Sequence, residues 1–244
     1  RLHCCRSIAV KWRRGAVVMN PTGLEGIQSQ LPLDQTSEQP NSYDPSVLVA
    51  VPRALARGVE GIDASLFQGH DLWNCWEMSW LNQHGKPEMR IGQLVVPADS
   101  PNLCESKSLK LYLNSFANDK VASEADLVQR VTDDLEMILG VRPEFTLYPL
   151  DHERFQVEAP KGECLDHLPV DLNVYEPDAR LLQIDANQVG AERFHSHLFR
   201  SNCPVTSQPD WATVVVKYKA PVKLLPESLL GYLVSYRNHT GFHE

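Results

Sequence analysis

Apolar and aromatic residues crowd two neighbouring stretches in the first half of the chain, and this pattern predicts a pair of strands. Asp71–Leu81 carries three tryptophans, and Glu88–Val96 follows it after a short gap. The Gly85-Lys86-Pro87 sequence between them favours a turn. We therefore predict that these residues form two consecutive strands joined by a turn.

A helical spacing of apolar residues follows these strands. Lys107–Phe116 is predicted to be a short helix. A second helix should begin after Ser123 as its N-cap and end at Gly140. Its apolar stripe consists of Leu127, Val131, Leu135 and Ile138. Two more strands are predicted beyond it, Arg142–Leu150 and Phe155–Ala159, so the order strand, strand, helix, helix, strand, strand describes one module.

The sequence also contains an internal repeat. When residues 91–124 are shifted forward by 120 positions without gaps, ten of the 34 positions are identical. The identical residues are Val95, Val96, Pro101, Ser108, Leu109, Tyr112, Leu113, Ser115, Asn118 and Glu124, and their partners are Val215, Val216, Pro221, Ser228, Leu229, Tyr232, Leu233, Ser235, Asn238 and Glu244. Repetition on this scale predicts two tandem copies of one α+β fold.

The repeat sets the expected division of the chain. Residues 1–42 are predicted to be a flexible N-terminal extension, in which Met19 is a plausible start. Residues 43–161 form the first module, residues 162–190 a polar connector, and residues 191–244 the second module. Residues aligned with 141–159 would follow Glu244, so we expect the second module to be incomplete, truncated at its C-terminus.

Composition narrows the class of protein. The 244 residues are sufficient for two small domains, and the formal net charge of −8 argues against a nucleic-acid-binding surface. No apolar run of about 18 residues is present, so no membrane span is expected. The six cysteines include no CxxC pair, which fits a reducing, cytoplasmic setting better than secretion.

The segment Ser201–Trp211 carries the candidate chemistry. It holds Cys203 and Asp210, and prolines 204 and 209 exclude a regular helix or an inner strand between them. We predict an ordered loop between two strand-like runs, His195–Arg200 and Trp211–Tyr218. A thiolate there could act as a nucleophile and the carboxyl group as a proton donor. From these residues alone, a half-buried inert thiol beside a turn explains the pattern as well.

Two alternatives remain open at this point. His195 and His197 lie two positions apart on a predicted strand and so share a face, and with Cys203 they could hold zinc. That arrangement would favour a zinc-dependent hydrolase. A non-catalytic purine- or pterin-binding protein is the other alternative.

Three motifs together resemble one known family. Ser201–Trp211 is similar to the active-site segment of the NADPH-dependent 7-cyano-7-deazaguanine reductases, the nitrile reductases of queuosine biosynthesis in tRNA modification. Glu105–Tyr112 resembles the signature of that family, and Phe242-His243-Glu244 resembles its substrate-holding motif. The similarity runs from about Tyr43 onward and looks like the long, two-module form.

The resemblance implies a fold and a set of roles. The fold would be two tandem tunnelling-fold (T-fold) modules, each an antiparallel sheet backed by helices. The zinc alternative would then correspond to the GTP cyclohydrolase I type, which shares this fold. Cys203 would form a thioimide with the nitrile and Asp210 would donate the proton. The substrate site would comprise Cys104, Glu105, Ser106, His243 and Glu244. NADPH would contact Ser106 and Lys107, and the enzyme would be a cytoplasmic homodimer without a metal.

Overall fold

The computed structural model describes residues 2–10, 40–54, 57, 67–156, 158–203 and 208–241, and these divide into two compact units. Among the described residues, the first unit extends to Phe155 and the second begins at Gln156. Both units combine helices with mainly antiparallel strands, which confirms the α+β class. Within the described ranges, no helix combines the length and apolar character that crossing a bilayer requires.

A four-stranded antiparallel sheet forms one layer of the first unit. Its strands are β1 (Leu2–Val10), β3 (Phe67–Leu81), β4 (Pro87–Pro97) and β6 (Glu144–Tyr148), in the spatial order β1-β3-β4-β6. The predicted hairpin and the strand after the second helix are confirmed. Leu2–Val10 falls in the stretch for which the sequence predicts a flexible extension, and here it pairs with β3 along nine residues.

Asn82 organises the turn between β3 and β4. Its backbone N–H donates to the Lys86 carbonyl, and its side-chain Oδ1 accepts from the N–H groups of His84 and Lys86. Gly85 adopts a φ of 78°, a left-handed conformation that glycine tolerates without steric cost. The predicted turn is therefore closed by one asparagine and one glycine.

Two helices cover the sheet of the first unit. Helix α1 spans Ser106–Ser115 and helix α2 spans Glu124–Leu139. The Ser123 hydroxyl accepts from the Asp126 N–H at the start of α2, and Gly140 ends it with a φ of 72°, as predicted. The apolar stripe of α2 packs with the sheet in a single core, whose buried members include Trp73, Leu94, Phe116, Leu127, Val131, Leu135 and Phe145.

The predicted strand at Phe155–Ala159 is wrong. Glu153–Phe155 forms a 3-10 turn instead, and residues 156, 158 and 159 are not in a strand. The Phe155 ring packs edge-on against Trp76 at 5.2 Å and against Tyr148 at 5.4 Å between centroids. These aromatic contacts with β3 and β6 hold the chain back beside the sheet, so it does not continue as another strand.

The first unit also contains a pair of short strands and a buried ion pair. Strand β2 (Ala50–Pro52) pairs with β5 (Asn102–Cys104). Just after β2, the Arg53 guanidinium contacts the Asp71 carboxylate at 2.5 Å, and both side chains are almost fully buried. Arg53 Nε also donates to the Ser100 hydroxyl at 2.9 Å. This ion pair therefore links three separate segments around β3.

The second unit is built on another hairpin. Strand β9 (Arg193–Asn202) pairs antiparallel with β10 (Pro209–Lys217), and β7 (Glu163–Cys164) runs parallel to β9 on its other side. Helix α3 (Pro226–Ser235) packs on the hairpin, and the core contains Leu165, Phe194, Leu229, Leu230 and Leu233. Strands β8 (Ile184–Asp185) and β11 (Lys223–Leu224) form a separate pair.

The two units repeat the same helical segment at an offset of 120 residues. Helix α3 and its following 3-10 turn, Tyr236–Asn238, lie 120 positions after α1 and the turn Phe116–Asn118. The side-chain contacts repeat as well, because Ser115 donates to the Tyr112 carbonyl at 2.6 Å and Ser235 donates to the Tyr232 carbonyl at 2.7 Å. The internal repeat inferred from sequence is thus present in the hydrogen bonding.

The hairpins repeat at a different offset, which corrects the ungapped alignment. Pro87 begins the ladder of the first hairpin opposite Leu81, and Pro209 begins that of the second opposite Asn202. Equivalent residues of β4 and β10 are therefore 122 positions apart in sequence. The bulges agree with this, because the register shifts between Arg90 and Gly92 in one hairpin and between Ala212 and Val214 in the other. The predicted equivalence of Val95 and Val215 is therefore wrong, and Val95 corresponds to Lys217.

Part of the predicted connector also belongs to the repeat. Asp44 caps the 3-10 turn Pro45–Val47, and Asp178 caps the turn Ala179–Leu181 in the same way. The Val49 N–H donates to the Ser108 hydroxyl, and the Gln183 N–H donates to the Ser228 hydroxyl. The second copy thus includes residues from about 178 onward, which the sequence assigned to the connector.

The buried Arg53–Asp71 pair yields a stability prediction. Arg53→Ala would remove the guanidinium group that contacts the buried Asp71 carboxylate, so we expect the free energy of unfolding to fall by about 3–5 kcal/mol. Urea denaturation measures this loss. The double variant Arg53→Met with Asp71→Leu should recover most of it, because neither charge is then buried. A loss well below 1 kcal/mol for Arg53→Ala would contradict the assignment.

Candidate functional site

The end of the β9–β10 hairpin at which the two strands are connected holds the predicted cysteine and aspartate. The Cys203 N–H donates to the Gln208 carbonyl at 2.8 Å, which continues the ladder one pair beyond Asn202 and Pro209. Asp210 pairs with Ser201, so it lies within β10 and not in the loop that the sequence predicted. Residues 204–207 lie outside the described residues.

The ladder register places Cys203 and Asp210 on one face of the hairpin. Side chains alternate between faces along a strand, so Cys203 shares a face with Ser201, and Ser201 lies directly opposite Asp210. Cys203 and Asp210 are therefore diagonal cross-strand neighbours, a relation in which side chains are within reach of one another. The Cys203 side chain is partly accessible and Asp210 is exposed.

In the first unit, the residues at the equivalent diagonal positions are in contact. Asn82 corresponds to Cys203, since each follows the last paired residue of the first strand of its hairpin. Glu88 corresponds to Asp210, since each follows the proline that begins the second strand. Asn82 Nδ2 donates to Glu88 Oε1 at 3.0 Å. Sequence reasoning missed this pair because the ungapped alignment does not superimpose it on the cysteine and aspartate.

A second backbone bridge fixes the end of β9. The Asn202 N–H donates to the His239 carbonyl at 2.8 Å, and the Gly241 N–H donates to the Asn202 carbonyl at 3.1 Å. The segment 239–241 therefore lies beside the residue that precedes Cys203. Phe242, His243 and Glu244, the predicted substrate-holding motif, follow directly in sequence and lie outside the described residues.

The predicted signature of the first unit forms the start of α1. Glu105 is the N-cap: its two carboxylate oxygens accept from the N–H groups of Lys107 and Ser108 at 2.8 and 2.7 Å. Cys104 is buried, whereas Ser106 and Lys107 are partly exposed. A carboxylate thus occupies the electropositive end of this helix, where the sequence predicted a phosphate.

The counterpart of this region in the second unit has the opposite charge. A groove of about 330 Å³ lies along the first turns of α3, and its lining includes Asp171, Gln183 and Glu227. Glu227 lies 120 positions after Lys107, where the first unit has a cation. Two carboxylates around this groove disfavour a phosphate there, whereas Lys107 offers a cation at the equivalent position of the first unit.

The histidines of the zinc alternative lie in the middle of β9. The rings of His195 and His197 are 5.4 Å apart between centroids, and His197 Nδ1 is 2.9 Å from the Thr213 hydroxyl. The β-bulge lies between His195 and Cys203 along the strand. His195 is opposite Val215 in the ladder, whereas Cys203 shares the face of Ser201. Among the described residues, no cluster of three or more His, Cys, Asp and Glu side chains is arranged for a metal ion.

A partly exposed carboxylate ties the preceding segment to β9. Asp166 accepts from the Ser196 hydroxyl at 2.7 Å and from the His197 N–H at 3.2 Å. Burial opposes ionisation of Asp166, but these hydrogen bonds outweigh burial and hold its pKa below the usual value. The ionised side chain therefore stabilises the strand that leads to Cys203.

Trp211 adds a feature that the sequence did not predict. It directly follows Asp210 and pairs with Arg200 across the ladder. The guanidinium groups of Arg200 and Arg237 each lie 5.8 Å from the centroid of its ring. The three residues are far apart in sequence, and only the register of β9 with β10 and the position of the turn after α3 bring them together.

Comparisons with known proteins define the class and then the family. Residues 39–146 match the sequence profile of a nitrile reductase family, described as the N-terminal part of 7-cyano-7-deazaguanine reductase. The chain is 43% identical over 213 residues to the NADPH-dependent 7-cyano-7-deazaguanine reductases of Acinetobacter baumannii strains SDF and AYE. In both cases the alignment covers 87% of this chain and 78% of the relative. The chain belongs to the NADPH-dependent 7-cyano-7-deazaguanine reductase family.

Asp166 provides a pH-dependent stability prediction. Because its pKa is lowered in the folded unit, its ionised form stabilises the fold at neutral pH, and this contribution is lost as the pH falls through the lowered pKa. Asp166→Asn should therefore lower the free energy of unfolding by about 1–3 kcal/mol at pH 7. The difference from the unsubstituted protein should shrink in acid. Asp171→Asn, at an exposed carboxylate nearby, is the control; a pH-independent difference for Asp166→Asn would contradict the argument.

Proposed function

We propose that this protein reduces the nitrile of 7-cyano-7-deazaguanine to the aminomethyl group, with NADPH as the reductant. Family membership supports the reaction, and the hairpin that aligns Cys203 with Asp210 is the observation that carries the mechanism. A nitrile carbon is electrophilic, and a thiolate is the strongest side-chain nucleophile near neutral pH. A diagonal thiol–carboxyl pair is therefore suited to addition with proton transfer.

The first step is addition of the Cys203 sulfur to the nitrile carbon. A C–S bond forms, one bond of the carbon–nitrogen triple bond breaks, and nitrogen takes a proton from the Asp210 carboxyl group. The proton released from the Cys203 thiol restores the carboxyl group, so the thioimide retains all atoms of the substrate. Asp210 acts here as a general acid, which requires a carboxyl group within reach of the nitrile nitrogen.

Reduction requires the cofactor, and residues at the start of α1 fit part of it. When bound, each NADPH would supply one hydride, and two hydrides with two protons would convert the thioimide to the amine and release the Cys203 thiol. The hydroxyl group of Ser106 and the ammonium group of Lys107 would contact a phosphate. Because Glu105 already accepts the N–H groups of Lys107 and Ser108, these two side chains would carry the contact without those backbone donors.

Substrate recognition would depend on carboxylates. The base presents adjacent N–H donors, and an ionised carboxylate accepts two such hydrogen bonds side by side. Glu244 and His243 are the proposed partners, and the bridge at Asn202 supports them because it brings residue 241 beside the strand end that bears Cys203. Glu105 would add a second carboxylate, with Cys104 and Ser106 near it, since each Glu105 oxygen has a lone pair beyond the one used in capping.

The tandem T-fold architecture is part of the same proposal. The repeated hairpins with matching bulges and the repeated helix with its 3-10 turn support two copies of one fold. In the first copy the sheet is antiparallel and two helices cover it, which is the arrangement that the T-fold implies. A homodimer remains a prediction from the family resemblance.

Covalent adduct formation tests the nucleophile. Mixing the protein with the nitrile in the absence of NADPH should give one adduct with the full mass of the substrate, because addition loses no atom. Cys203→Ala should abolish this adduct in intact-mass spectra. Cys164→Ala is the matched control, since Cys164 is also a partly exposed free thiol of the second unit, and it should retain the adduct.

The same samples distinguish the proposed nucleophile and reaction from the alternatives. An adduct that persists in Cys203→Ala would assign the nucleophile elsewhere. Stoichiometric zinc that is lost in His195→Ala would favour a hydrolase instead.

The role of Asp210 predicts a change in rate. Asp210→Asn keeps the shape of the side chain but removes the acidic proton, so the rate of adduct formation should fall by about 10²–10⁴-fold. Stopped-flow or quenched mass measurements give this rate. Alkylation of Cys203 by iodoacetamide, which needs no proton donor, should be little changed. An unchanged rate of nitrile addition would show that another group protonates the nitrogen.

A further inference from the structure

An exposed tryptophan with two arginines on its ring lies beside the proposed catalytic pair. Trp211 is 58% exposed. Arg200 reaches it from β9 and Arg237 from the 3-10 turn after α3, each at 5.8 Å from the ring centroid. We call Arg200, Trp211 and Arg237 the Trp211 cluster. It combines two cations with a flat, accessible aromatic surface.

The first unit shows that the fold does not require this cluster. The ladder and helix offsets identify the residues of the first unit that are equivalent to the cluster. Ser79 corresponds to Arg200, Met89 to Trp211, and Ala117 to Arg237. The same hairpin and the same 3-10 turn therefore form without either cation or the indole. The cluster is specific to the copy that carries Cys203 and Asp210.

Neither arginine of the cluster forms an ion pair with a carboxylate among the described residues, although the chain as a whole has a net charge of −8. The recorded hydrogen-bond partner of the Arg200 guanidinium is neutral, the Asn202 side-chain oxygen at 3.0 Å. Arg200 Nε is buried without an acceptor in the part of the chain that the structure describes. In an acidic protein, two guanidinium groups that have no carboxylate partner in the described part of the chain favour an anionic ligand.

We infer that the Trp211 cluster binds a phosphate on the adenosine half of NADPH. The inference rests on the proposed function. The 7-deazapurine nitrile is neutral and offers no anion to the two guanidinium groups, whereas the dinucleotide carries phosphates. Guanidinium groups bind phosphate oxygens in a planar, bidentate manner, and an indole offers a surface on which adenine can stack. Ser106 and Lys107 are a separate proposed contact for this cofactor.

The test uses 2′,5′-ADP as the probe and calorimetry as the readout. A triple variant copies the first unit: Arg200→Ser, Trp211→Met and Arg237→Ala. We expect its affinity for 2′,5′-ADP to be lower by about tenfold or more, since two charged contacts to phosphate are removed. Arg193→Ala, an exposed arginine on the same strand β9, should leave the affinity unchanged. Thermal unfolding shows whether the triple variant is folded.

A milder variant covers the case in which the triple variant does not fold. Arg237→Lys keeps the charge but removes the planar fork, and it should weaken binding of 2′,5′-ADP by a smaller factor. Binding of 2′,5′-ADP to the unsubstituted protein should also quench tryptophan fluorescence, and this quenching should be reduced in Trp211→Phe.

The outcomes separate the two proposals. A loss for 2′,5′-ADP but not for 5′-ADP assigns the cluster to the 2′-phosphate, and an equal loss for both assigns it to the 5′-phosphate that the two nucleotides share; either result supports the inference. Affinities of a folded triple variant or of Arg237→Lys that equal that of the unsubstituted protein would overturn it. If the nitrile adduct forms on Cys203 while the cluster variants keep their affinity, the proposed function stands and this inference alone fails.

Discussion

The backbone register of β9 with β10 is the constraint on which the candidate site depends. Side chains alternate between the faces of a strand, so a slip of one residue would move Cys203 to the face opposite Asp210. Three hydrogen bonds limit such a slip at the loop end of the hairpin: one joins Cys203 to Gln208, and two join Asn202 to His239 and Gly241. Asp166 holds β9 further back, at Ser196 and His197. The geometry of the proposed catalytic pair thus depends on backbone hydrogen bonds more than on contacts of its own side chains.

The two copies of the hairpin show how a common geometry can serve different chemistry. In the first copy, Asn82 bonds to Glu88, and Lys86 and Arg90 lie within ion-pair distance of the same carboxylate. An amide cannot attack an electrophile, and the Glu88 carboxylate already accepts a hydrogen bond from that amide. The first hairpin end therefore has no nucleophile at the position of Cys203, although its backbone geometry matches that of the second. The backbone fixes where two side chains meet, and the residue types at those positions decide whether they can react.

Local patterns were sufficient to predict much of this fold. The turn before Pro87, the Ser123 cap, the Gly140 stop and the stripe from Leu127 to Leu135 are signals carried by neighbouring residues, and all are confirmed. The failures are tertiary. The contacts of Phe155 with Trp76 and Tyr148 override a strand-like sequence. The offset between the two copies changes from 122 in the hairpins to 120 in the helices. The connection from Ala220 to Leu224 is two residues shorter than the equivalent connection from Ala98 to Cys104, and only the hydrogen-bond ladders reveal this difference. Cys203 and Asp210 could be recognised together as a sequence motif, whereas the Trp211 cluster leaves no signal in the local sequence.

Glu105 illustrates why a motif and its local physics must be considered together. Its position in the family signature implies contact with the substrate, yet both of its oxygens accept N–H groups of α1. An ionised carboxylate has about four acceptor sites, so capping uses half of them and leaves the others for a ligand. The cap also holds the side chain in one orientation before any ligand arrives, which lowers the entropy lost on binding. A change of Glu105 to alanine would therefore remove an N-cap and a recognition group at once, and the binding contribution can be separated only by comparing binding with stability in the same variant.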